Sequence, residues 1–128
     1  MKHILIVDDR ATSRELLRTV LEKQGYAVTE AADGEEALQK VRAESPHLVL
    51  LDLQMPVRDG YEVLRELRQD PRFAALPIIA ITASAMQGDR ERALAAGFTA
   101  YLTKPVMLSH LREQIHRLLP PGTSGNSG

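Results

Sequence analysis

Leu48-Val49-Leu50-Leu51 is apolar at every position and runs directly into Asp52. A strand with one wet face alternates polar and apolar residues, so an unbroken apolar run fits a central strand covered on both faces. His3 to Val7, Ile78-Ile79-Ala80-Ile81 and Thr99 to Leu102 read as further strands, with a short second strand at Tyr26 to Ala31. Between them lie segments with helical spacing of apolar residues. Thr12 to Gln24 presents Leu16, Leu17, Val20 and Leu21 on one face and is followed by Gly25, which suits a helix C-terminus. Asp33-Gly34-Glu35-Glu36 has the spacing of a capping box ahead of Ala37, Leu38 and Val41, and Ser45-Pro46 ends that helix. Tyr61 to Leu67 is a third helix, after a Met55–Gly60 loop containing Pro56. Ala85 to Ala96 is a fourth, closed by Gly97, and Leu108, Leu111, Ile115 and Leu118 stripe a fifth. Strands that alternate with crossovers of helical length pair in parallel. The expected fold class is therefore α/β, a doubly wound five-stranded parallel sheet.

The 128 residues suffice for one domain with its own core, expected over 1–120. Pro120-Pro121 stops the last helix, and 121–128 reads as a flexible tail of Gly, Ser, Asn and Thr. A formal charge of −1 argues against a nucleic-acid partner. No cysteine is present, which excludes disulfides and thiolate chemistry. No apolar run approaches a membrane span, and the N-terminus enters a strand without a signal-peptide pattern, so the expected localisation is cytoplasmic.

The chemistry sits at the ends of the strands. Asp8-Asp9, Asp52, Thr82 and Lys104-Pro105 each follow an apolar run, and parallel strands of this class end on one common crevice. Taken singly, Asp8-Asp9 also suits a helix cap, Thr82 a strand terminus and Lys104 a solvated surface. Together, three carboxylates make a hard oxygen site for Mg²⁺, while a hydroxyl and an ammonium suit phosphoryl oxygens. No Gly-rich loop follows the first strand, so a nucleotide cradle is not expected there. A carboxylate can instead accept a phosphoryl group covalently, and Asp52 is the central candidate. A cis Lys104-Pro105 bond, open to an X-Pro peptide, would turn the lysine back into the crevice.

These residues, from Lys2 to about Leu119, resemble the receiver domain of two-component response regulators. The resemblance rests on Asp8-Asp9 after Ile4-Leu5-Ile6-Val7, on Leu50-Leu51-Asp52-Leu53-Gln54-Met55-Pro56, on Asp59-Gly60, on Ile81-Thr82-Ala83 and on Tyr101-Leu102-Thr103-Lys104-Pro105. It implies a flavodoxin-like (βα)5 fold with strand order 2-1-3-4-5. It implies Asp52 as the phosphoacceptor, charged from a phosphohistidine of a histidine kinase or phosphotransfer protein. Asp8 or Asp9, Asp52 and the Gln54 carbonyl would hold Mg²⁺; Thr82 and Lys104 would contact the phosphoryl group; Ala83 would leave room beside it. Tyr101 would turn inward as Thr82 moves, changing the face made of the fourth helix, last strand and last helix for an unknown downstream protein. The chain would be a monomer or weak dimer, and a signalling module rather than an enzyme.

Gln54 and Ser84 occupy positions that tune water access to the phosphoryl group in that family. Gly97-Phe98-Thr99-Ala100 lacks the acidic pair common in DNA-binding regulators, which points to a stand-alone or hybrid-kinase-type receiver. Two other readings compete. A haloacid-dehalogenase-type phosphatase needs a second Asp where this chain has Gln54. Against a receiver-shaped module that is never phosphorylated stand Asp8, Asp9, Asp52, Thr82 and Lys104 together, since a purely structural role would not need buried acids.

Overall fold

The computed structural model describes residues 1–55, 58–83 and 86–119. Five strands form one parallel sheet in the order β2-β1-β3-β4-β5: β1 His3–Val7, β2 Ala27–Ala31, β3 Leu48–Asp52, β4 Ile78–Thr82 and β5 Ala100–Thr103. The helices between and after them are α1 Ala11–Lys23, α2 Gly34–Glu44, α3 Gly60–Gln69, α4 Asp89–Ala96 and α5 Leu108–Leu118, with a 3₁₀ turn at Pro71–Phe73. This is the doubly wound, flavodoxin-like fold and strand order expected from the sequence.

Side chains alternate across a strand, so each central strand feeds two cores. Leu5, Val7, Val49, Leu51, Ile78 and Ala80 pack with α2, α3 and α4 through Leu38, Val41, Leu64, Leu67 and Ala93. Ile4, Ile6, Leu48, Leu50, Ile79 and Ile81 pack on the other face with α1 and α5 through Leu17, Leu21, Leu111 and Ile115. Burial on both faces explains why β3 and β4 are apolar without alternation.

Several boundaries differ from expectation for local reasons. α1 begins at Ala11, and its cap position, Arg10, contributes no side-chain hydrogen bond, so the acidic pair does not cap it. Leu16 is 66 % exposed rather than on the buried stripe. At α2, Asp33 accepts from the Glu36 amide as expected, but the Glu36 carboxylate accepts from Ala32 N–H instead of the cap residue's own amide. The reciprocal box stands at α3 instead, between Asp59 and Glu62. α3 runs from Gly60 to Gln69, longer than expected at both ends, β2 starts one residue late at Ala27 and β5 is shifted to Ala100–Thr103. α4 starts only at Asp89, because Gly88 sits at φ +89°, outside helical geometry. Gly25 adopts φ +95° just past α1, the left-handed conformation that ends a helix with little strain for glycine. Pro56, Ser84, Ala85, the Pro120-Pro121 stop and the tail lie outside the described residues.

Candidate functional site

Register decides which strand ends meet. Val7 pairs with Leu51, so Asp8 and Asp52 stand level at the ends of adjacent strands. Asp52 pairs with Ile81, the residue before Thr82, and Thr82 pairs with Thr103, the residue before Lys104. Asp8, Asp52, Thr82 and Lys104, widely separated in the chain, thus stand within two register steps of one another at one end of the sheet.

Asp8 and Asp52 are each 3 % exposed, and Thr82 is 2 % exposed. Isolated buried carboxylates are costly, so their partners matter. The Lys104 ammonium donates to Asp8 Oδ2 and Asp52 Oδ2, at 3.1 Å each. The other oxygens are met by backbone amides: Asp8 Oδ1 accepts from Arg10 N–H at 2.8 Å and Asp52 Oδ1 from Gln54 N–H at 2.9 Å. Lys104 is held by its own amide, which donates to the Thr82 carbonyl at 2.8 Å. The Lys104-Pro105 bond is cis, as expected.

Burial pushes the Asp52 carboxyl above the ordinary range, aided by the neighbouring Asp8 charge; the Gln54 amide and Lys104 pull the other way without reversing it. Burial works against the Lys104 charge, yet the hydrogen bonds to Asp52 and Asp8 hold its pKa above the usual lysine value. The lysine is thus a fixed cation, and Asp52 a carboxylate that gains from added positive charge.

Exposed Asp9 completes the acidic group. One oxygen from each of Asp8, Asp9 and Asp52 lies within 4.8 Å of the others. Three hard oxygen donors this close, one of them open to solvent, fit a Mg²⁺ that keeps several waters and binds through few carboxylates. The cleft over them is about 160 Å³, lined by Asp9, Arg10, Asp52, Gln54, Ala83 and Lys104. Thr82 lines the adjoining cavity of about 290 Å³, together with Gln54, Tyr61, Asp89 and Arg92. Gln54 borders both.

Tyr101 differs from the expectation that it turns inward as Thr82 moves: it already stands in the core, 8 % exposed, and its hydroxyl is buried without a hydrogen-bond partner among the described residues. Burial raises its phenol pKa, with Asp89 and Tyr61 adding to the effect.

Three contributors escape a reading of strand ends alone. Gly60 lies against Asp52: a Cβ there would meet the Asp52 carbonyl at 2.8 Å and Leu53 Cα at 2.9 Å. Arg14 donates to the Asp8 carbonyl at 2.6 Å and to Glu30 at 2.9 Å, tying α1 to the end of β1. Arg10 lines the cleft. The available signals were the Asp59-Gly60 pair and the four-residue spacing of Arg10, Arg14 and Arg18.

The family described as response regulator receiver domain matches residues 4–116. The polar-differentiation response regulator DivK of Brucella anthropi is 37 % identical over 118 residues, covering 92 % of this chain and 96 % of that protein. The structure of the chemotaxis protein CheY4 of Vibrio cholerae superposes with a TM-score of 0.86 at 31 % identity, covering 93 % of this chain and 99 % of that one. The receiver domain of sensor histidine kinase PA1611 from Pseudomonas aeruginosa, solved with magnesium coordinated in its active-site cleft, is similar at 38 % identity and a TM-score of 0.84, covering 91 % and 96 % of the two chains.

Proposed function

We propose, since this chain belongs to the receiver domain family of two-component response regulators, that it is a switch thrown by phosphorylation of Asp52. Receiver domains are signalling switches rather than classical enzymes, bind Mg²⁺ at an acidic pocket, and work with histidine kinases and downstream effectors. The observation that carries the reading is the position of the Lys104 ammonium, 3.1 Å from both Asp8 and Asp52. A cation held between two buried acids can follow one of them as it gains phosphoryl charge.

In the proposed reaction an Asp52 carboxylate oxygen attacks phosphorus of a phosphohistidine on a histidine kinase or phosphotransfer protein. The O–P bond forms as the N–P bond breaks, and the imidazole leaves with the electron pair. Asp8, Asp9, Asp52 and the Gln54 carbonyl would hold Mg²⁺, which supplies charge neutralisation at the phosphoryl oxygens. Lys104 shifts its hydrogen bonding onto the phosphoryl group, and Thr82 brings its hydroxyl to a remaining oxygen. Gly60 and Arg14 keep the Asp52 and Asp8 strand ends in place.

The readout runs through the neighbouring cavity. Movement of Thr82 toward Asp52 enlarges the space it shares with Tyr61 and Asp89, and Tyr101 adjusts its buried ring to it. The surface of α4, β5 and α5 then changes for a downstream protein. The domain spans 1–120, acts in the cytoplasm as a stand-alone or hybrid-kinase-type receiver, and is a monomer or weak dimer. Among the described residues no helix is long and apolar enough to cross a membrane.

Intact mass after incubation with acetyl phosphate tests this. The expected result is a Mg²⁺-dependent gain of one phosphoryl group, absent in Asp52→Asn. Equal gain in the variant would overturn it.

A further inference from the structure

Arg10 has no part in the reaction as described above. It follows the acidic pair and stands in extended backbone, φ −99° and ψ 118°, at the start of α1. Its amide is engaged with Asp8, but among the described residues its guanidinium makes no hydrogen bond or ion pair. The next two arginines along α1 are differently placed. Arg14 is taken up by Glu30 and the Asp8 carbonyl, and Arg18 by Glu22 and Glu30. Arg10 alone of these three lines the cleft, beside Asp9, Asp52 and Lys104.

Charge accounting at the site gives that guanidinium a task. Three ionised carboxylates are balanced by one divalent cation and Lys104. A phosphoryl dianion on Asp52 exchanges one negative charge for two and leaves one uncompensated. A donor arriving with its own dianionic phosphate leaves the cleft more negative still. Arg10 lines this cleft, and its guanidinium, with donors spaced for phosphate oxygens, matches that excess.

We propose that Arg10 is the docking residue for the phosphoryl dianion of the incoming donor, binding it before transfer. This rests on Asp52 being the acceptor. With a small acyl phosphate, Asp52 forms the new O–P bond, the bond from phosphorus to the acyl oxygen breaks, and the carboxylate product leaves with the electron pair. Arg10 forms and breaks no covalent bond; it raises the donor's occupancy of the cleft.

The test is phosphorylation by acetyl phosphate in the wild type, Arg10→Ala, Arg10→Lys, Arg10→Glu and Asp52→Asn, together with Mg²⁺ affinity by calorimetry. Arg10→Ala should raise the apparent KM for acetyl phosphate about tenfold while changing the saturated rate less than about twofold. Arg10→Lys should recover part of the loss and Arg10→Glu deepen it, and added salt should bring the wild type toward Arg10→Ala. Mg²⁺ should bind about two- to threefold more tightly in Arg10→Ala, because a nearby cation has gone. A merely structural role would weaken both ligands together, and that result would overturn the proposal. So would an unchanged KM in Arg10→Ala beside an inert Asp52→Asn. Phosphorylation of Asp52→Asn at the wild-type rate would instead overturn the Asp52 assignment, and this proposal with it.

Discussion

Asp52 and Lys104 lie 52 positions apart in sequence, yet the lysine Nζ stands 3.1 Å from Asp52 Oδ2 and equally close to Asp8. The parallel register of β1, β3, β4 and β5 brings them together, since each strand ends within one residue of the same level. The ion-pair network is therefore a product of the sheet, and perturbing it should report on fold and function separately.

Removing the ammonium leaves two buried carboxylates facing each other. Lys104→Ala should lose about 1–3 kcal/mol of stability in urea without Mg²⁺ at neutral pH, and regain much of it when Mg²⁺ is added. Its phosphorylation-induced structural change, followed by amide exchange on α4 and β5, should be impaired far more than its Mg²⁺ affinity. Loss of Mg²⁺ binding alone would contradict the role given to this lysine.

Gly60 is where α3 starts against the back of Asp52. A methyl group there would overlap the Asp52 carbonyl and Leu53 Cα, both backbone atoms that cannot swing aside. Gly60→Ala should destabilise the fold by about 1–3 kcal/mol in chemical denaturation. Because the shift falls on the residue carrying the acceptor, phosphorylation should slow even where the variant is fully folded.

Arg68 ties α3 to two neighbouring segments, donating to Gly97 O at 2.9 and 3.1 Å, to Phe73 O at 2.9 Å and to Leu76 O at 2.8 Å. Burial lowers its pKa, yet guanidinium remains charged at any working pH. Arg68→Ala strands the Gly97 and Leu76 carbonyls, while Phe73 O keeps the Leu76 amide at 3.2 Å, and should cost about 2–3 kcal/mol by urea denaturation. Arg68→Lys should rescue little, because one ammonium cannot span acceptors on both sides.

At the opposite end of the sheet, His47 Nδ1 accepts from the His3 amide at 2.9 Å. Although His47 as a whole is exposed, desolvation of the ring lowers its pKa from 6.5, with Lys2, His3 and the N-terminus adding repulsion. The unfolded chain therefore takes up this proton first. The contribution is present above pH 6.5 and is lost as pH falls through the lower folded-state value. Thermal melts of the wild type and His47→Gln should show a difference that shrinks or reverses on acidification from pH 7.5. A constant difference across that range would contradict the assignment.

Strand-end residues were legible in the sequence because burial on both faces writes β3 and β4 as unbroken apolar runs, which makes the following Asp52 and Thr82 conspicuous. The cis Lys104-Pro105 bond was legible for a similar reason, since proline marks the one peptide with ready access to that form. Leu16 misled because a helical stripe in sequence is wider than the stripe the sheet covers. The α4 start misled because Ala-rich composition suggests helix while Gly88 breaks it. The four-residue spacing of Arg10 and Arg14 marks a charged helix face, but only the fold shows which arginine meets Glu30 and which lines the cleft.

The most direct measurement locates the phosphoryl group itself. The protein would be phosphorylated with acetyl phosphate and Mg²⁺, reduced with borohydride, digested and read by peptide mass, because a phosphoaspartate is converted to homoserine while a free carboxylate is not. Homoserine is expected at position 52 alone. Homoserine at position 8 or 9, or phosphate retained on a hydroxyl such as that of Thr82, would contradict it.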